Sequence, residues 1–65
     1  MINFKVEEME GDSAVREITV VAFSRIHAVM KTVDGPIKAG RAQGKRWIRV
    51  TQKPSGLTGV FHFTD

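Results

Sequence analysis

Only one stretch of the chain repeats its apolar residues at helical spacing, and it is short: Ile26, Val29, Met30 and Val33 recur at i, i+3, i+4 and i+7. Ser24 ahead of it is a natural N-cap, while Gly35 and Pro36 behind it supply a left-handed residue and a ladder breaker. The spacing therefore predicts a single helix over about residues 25–33. Every other patterned segment has period two. Ile2, Phe4 and Val6 alternate with Asn3, Lys5 and Glu7, and Ile48 and Val50 alternate with Trp47, Arg49 and Thr51. Glu17 to Phe23 and Leu57 to Thr64 are rich in β-branched and aromatic residues. One short helix cannot enclose a core alone, so the strands must supply the other layer. The expected fold is α+β: a small antiparallel four-stranded sheet in the order β-β-α-β-β, with the helix on one face.

The turns support this order. Glu10-Gly11-Asp12-Ser13 and Lys53-Pro54-Ser55-Gly56 are turns by composition, and residues 36–44 read as a basic loop with at most one helical turn. With 65 residues there is room for one hydrophobic core, so residues 1–65 are expected to form a single domain. A core this small contributes only about 3–5 kcal/mol unaided, and the absence of cysteine removes both disulfides and the best zinc ligand. Pairing with a second copy is therefore an open route to stability. The longest apolar run, Val20–Phe23, is far too short to span a bilayer, and Met1–Glu10 lacks the basic and apolar character of a secretion signal. The expectation is a cytoplasmic protein with no membrane contact.

Charge is segregated along the chain. Residues 1–23 carry five acids against two bases, whereas Lys38, Arg41, Lys45, Arg46, Arg49 and Lys53 fall in one stretch that holds no acid. Such clustering favours an anionic partner, either nucleic acid or an acidic protein surface.

Alternation assigns Ile2, Phe4, Val6, Ile18, Val20, Ala22, Ile48, Val50, Leu57, Phe61 and Phe63 to the helix-covered face. It assigns Lys5, Thr19, Val21, Phe23, Trp47, Arg49, Thr51, Thr58, Val60 and His62 to the open one. Aromatic rings beside cations on a sheet suit single-stranded nucleic acid, since bases stack on the rings while the cations follow the phosphates. The expected binding set is Lys5, Phe23, Arg41, Lys45, Arg46, Trp47, Arg49 and His62, acting as a nucleic-acid-binding surface. The same residue types mark protein interfaces. The alternative is thus a protein-binding inhibitor or adaptor of the self-contained kind that phages and mobile elements direct at a host complex, with a homodimer through the apolar patch as a variant. The bland alternative is that Trp47 and Phe23 form a second small core.

Catalytic readings fare worse. Gly40-Arg41-Ala42-Gln43-Gly44-Lys45-Arg46 resembles a phosphate-binding loop only superficially: the glycines are one residue too close, Arg46 replaces the magnesium-binding hydroxyl, and a strand follows where a helix is required. His27 and His62 have no companions at metal-ligand spacing, and Ser13, Ser24 and Ser55 read as turn and cap residues. A non-enzymatic domain without cofactor or metal is expected.

Overall fold

The computed structural model describes residues 1–40 and 46–64. Six elements follow one another: β1 (Ile2–Glu10), β2 (Ser13–Ala22), α1 (Arg25–Thr32), β3 (Ile37–Ala39), β4 (Arg46–Lys53) and β5 (Thr58–Phe63). The strands form one antiparallel sheet in the spatial order β2-β1-β4-β5-β3, with α1 packed against β2, β1 and β4. The architecture is the expected α+β sheet under a single helix, but the sheet has five strands rather than four. The extra strand, β3, lies in the segment read as a loop. Its three residues pair with Phe61–Phe63 of β5, and the ladder hydrogen bonds outweigh the weak local propensity of Ile37-Lys38-Ala39.

Each connection follows from local chemistry. The β1–β2 hairpin turns on Gly11 at φ +61°, a conformation that costs glycine nothing, and a bulge at Val15 lets Met9 face Ala14 while Glu8 faces Arg16. Ser24 caps α1 as expected, its Oγ accepting from the His27 amide. Between β4 and β5 the chain passes through a cis Lys53–Pro54 peptide and through Gly56 at φ +79°.

The core lies between sheet and helix. Phe4, Val6, Ala22, Ile48, Val50 and Phe61 meet Ala28 and Val29, with Ile2, Val20, Val33, Ile37 and Phe63 at its margin. Two expectations need correction. Leu57 is 58% exposed, because it ends the β4–β5 turn instead of starting a strand. Ile26 and Met30 were expected in the helix stripe, but they point outward and Ala28 fills the contact. The small alanine lets the helix approach the sheet closely and turns its buried stripe toward Ala28, Val29 and Thr32.

Candidate interaction surface

Strand parity comes out as alternation requires. Trp47 and Arg49 lie on the sheet face opposite α1, since Ile48 and Val50 between them belong to the core. The ladders add neighbours that composition did not suggest. Glu7 pairs with Arg49, Met9 with Trp47, and Trp47 with His62. This end of the open face is closely packed. Trp47 is only 7% exposed and Met9 is buried beside it. The indole Nε1–H donates to the Gly11 carbonyl at 2.7 Å, pinning the first hairpin turn to β4.

The polar groups at this end are committed as well. Arg49 grips Glu7 with two parallel bonds, Nε to Oε1 at 2.9 Å and Nη2 to Oε2 at 3.0 Å, and Lys5 Nζ approaches Oε1 at 3.9 Å. Glu7 is 5% exposed, the only buried charged residue among those described. The bonds from Arg49 hold its carboxyl below the usual carboxylate range, against the opposing push of burial. Glu7 in turn raises the Arg49 guanidinium. His62 donates from Nδ1 to the Gly40 carbonyl at 2.7 Å, tying β5 to the end of β3.

The expected binding set is therefore divided. Lys5, Trp47, Arg49 and His62 share the open face, with Trp47 packed away and Arg49 paired. Arg46 has the parity of Ile48 and belongs to the helix-side face, where it lies 3.6 Å from Glu8 and 5.2 Å over the Phe63 ring. Arg41 and Lys45 lie outside the described residues. Phe23 does not join Trp47, because it follows Ala22 at the end of β2 that faces Ile2, whereas Trp47 faces Met9. Seven residues of strand separate the two levels, roughly 20 Å. The expected continuous aromatic and basic surface is thus broken into two regions.

At the Phe23 end a different surface forms. Phe23 is 72% exposed, and its ring meets His27 edge-on at 6.3 Å. On α1, Met30 lies three residues beyond His27 and four beyond Ile26, which makes the three neighbours on one flank. Met30 is 63% exposed and Ile26 38%. Lys31 flanks this apolar strip, whereas Arg25 lies on the sheet side of α1 with its side chain against Gly59 of β5, and α1 contains no acid. Ser24 Oγ and His27 Nδ1 are 3.0 Å apart, which orients the imidazole from the cap. No third group completes a catalytic relay among the described residues, and none of their acids and histidines cluster as a metal site would require.

Sequence reasoning missed Ile26 and Met30 as surface residues, because spacing alone fits two overlapping stripes on so short a helix. The usable signal was Ala28: a small residue beside Val29 marks the side on which backbones come close. None of the described helices is long and apolar enough to cross a membrane. Comparison of the chain with protein-family models, curated proteins and solved structures gives no match in any of the three.

Proposed function

We propose that this domain is a non-enzymatic protein-binding module, an adaptor or inhibitor, that engages its partner through Phe23, Ile26, His27 and Met30 with Lys31 at the rim. The observation that carries the reading is the exposure of Phe23 and Met30 on an acid-free helix flank. Large apolar side chains grouped on a surface and rimmed by charge have the make-up of an interface centre, where an aromatic or methionine anchor enters a pocket and the rim steers association. Lys31 and the absence of any acid in α1 favour a partner whose matching surface is acidic.

Nucleic-acid binding remains the competing reading, supported by the net charge of +3 and by the outward-facing Lys38, Arg46 and Lys53. Of its two expected stacking rings, Trp47 is buried with its N–H bonded, which leaves Phe23 exposed. The deciding experiment compares wild type with a Phe23→Ser/Met30→Ser variant as bait in nuclease-treated lysate, beside oligonucleotide titrations at low salt. Protein binding requires a captured polypeptide that survives nuclease and is lost with the variant. Oligonucleotide affinity tighter than about 100 μM that falls with added salt and ignores the variant would replace it with the nucleic-acid reading.

A further inference from the structure

α1 covers only part of its own face of the sheet. It packs on β2, β1 and β4, which centres it over β1 and leaves β5 and β3 beside it. The side of α1 that borders this strip is fixed by Lys31, whose Nζ donates to the Val21 carbonyl of β2 at 2.8 Å. Met30 and Ile26 lie about 100° and 140° round the helix from Lys31, on the side away from β2. Val33 continues that side to the margin of the core, where Ile37 and Phe63 also pack. The strip itself is apolar. Phe61 beneath it belongs to the core, and Phe63, Ile37 and the exposed Ala39 share its face, since Ile37 pairs with Phe63 and Ala39 with Phe61. A cation stands at each end. The Arg25 stem lies on Gly59, where a Cβ would come within 2.8 Å of the arginine Cδ, so it occupies a seat that only glycine leaves open. Arg46 lies over the Phe63 ring at the other end. α1, β3 and β5 contain no acid. The acids of the Arg46 end are Asp34, three residues before β3, and Glu8, which Arg16 also holds at 3.1 Å.

We infer, resting on the protein-binding reading above, that the partner supplies an amphipathic helix with acidic flanks, which lies over β5 alongside α1. Spacing selects a helix. Packed helices lie about 8–10 Å apart, and β5 is two strand spacings from β1, roughly 10 Å. A second helix touching Ile26 and Met30 therefore has its axis over β5, with β4 and β3 supporting its two sides. Two helices over five strands complete the layer that α1 begins, which gives the three-residue β3 a role as the outer support of the seat. Charge selects an acidic flank. Arg25 and Arg46 stand where carboxylates on either side of an apolar stripe can reach them, and the glycine seat holds Arg25 in place before the partner arrives. α1 of a second copy is the wrong occupant, because it carries Arg25 and Lys31 and no acid of its own.

The test titrates the 15N-labelled full chain with two peptides of about 14 residues, some 20 Å of helix, that share one amphipathic leucine pattern. One has glutamate at its polar positions and the other lysine. Amide shifts at Ile26, Met30, Ala39 and Phe63 are expected with the glutamate peptide, at an affinity about tenfold or more above that of the lysine peptide. Arg25→Gln with Arg46→Gln should remove most of that difference. Ala39→Glu, at an exposed position, sets a carboxylate in the seat and should weaken the glutamate peptide by about tenfold; should it unfold the chain, the double glutamine variant decides. No saturable shift at about 1 mM peptide, or equal affinity for both peptides, overturns the inference. So do shifts confined to the opposite sheet face, or shifts at these four residues that grow with protein concentration alone and so put a second copy in the seat. Capture of a polypeptide from lysate that is lost with Phe23→Ser/Met30→Ser but indifferent to a folded Ala39→Glu leaves the protein-binding reading standing and removes only the helix seat.

Discussion

The chain's single tryptophan and its most exposed phenylalanine occupy opposite ends of one sheet and do opposite things. Trp47 is enclosed by Met9, bonded to Gly11 and flanked by the Glu7–Arg49 pair, so every polar atom around it has a partner. Phe23 meets His27 edge-on and is 72% exposed to solvent. Both are large aromatic residues next to strand ends, yet one stabilises the fold and the other adds surface that the fold does not need. The difference is set by what the opposing strand presents. β1 delivers Met9 and the hairpin turn to Trp47, whereas Phe23 lies past the last ladder pair, Ile2 with Ala22.

Truncation breaks this comparison most sharply. Trp47→Ala should cost about 3–5 kcal/mol, comparable with the whole stability of a domain this small, and leave the chain largely unfolded by circular dichroism at 25 °C. A folded Trp47→Ala variant would mean that the indole is not structural.

Arg49→Met comes next, at about 2 kcal/mol. It strands the Glu7 carboxylate in a buried site, and the loss is moderated because Arg49 is itself partly in water. Its pH dependence sharpens the point. The folded-state pKa of Glu7 is depressed, so the pair's stabilisation is fully present above the unfolded carboxylate range near 4.5 and is lost as pH falls through the lower folded value. Urea midpoints followed through acid pH should decline for wild type and stay flatter for Glu7→Gln.

Gly11→Ala should cost about 1 kcal/mol, since a side chain is strained at φ +61° even though open space surrounds it, and a thermal melt measures this. Phe23→Ser closes the series with a change within about 0.5 kcal/mol, while partner capture is lost. If Phe23→Ser instead melts the domain, the two ends are alike and the distinction fails.

Much of the frame was legible in residue order because alternation and capping are local. Ile2-Phe4-Val6, Ile48-Val50, the Ser24 cap and the outward parity of Trp47 and Arg49 all follow from period and position. What escaped were facts about neighbours. Burial of Trp47 depends on which strand runs alongside β4, and nothing near residue 47 announces Met9 or the Gly11 carbonyl. β3 escaped for the same reason, since Ile37-Lys38-Ala39 becomes a strand only because β5 has an open ladder. The rotation of α1 escaped because Ile26 and Met30 fit an apolar stripe as well as Ala28 and Val29 do.

The placement of β1 beside β4 also governs how the molecule loses its structure. β1 with β2, and β4 with β5, are hairpins closed by short turns, and an isolated two-stranded ribbon is barely stable in water. Their shared seam joins residues about forty positions apart, from Asn3 with Lys53 to Glu10 with Arg46. Neither hairpin has a reason to persist once that seam parts, so opening there is opening everywhere. Backbone amides of β1 and β4 should exchange with solvent deuterium at one common rate, set by global unfolding, while the outward amides of β2 exchange far sooner.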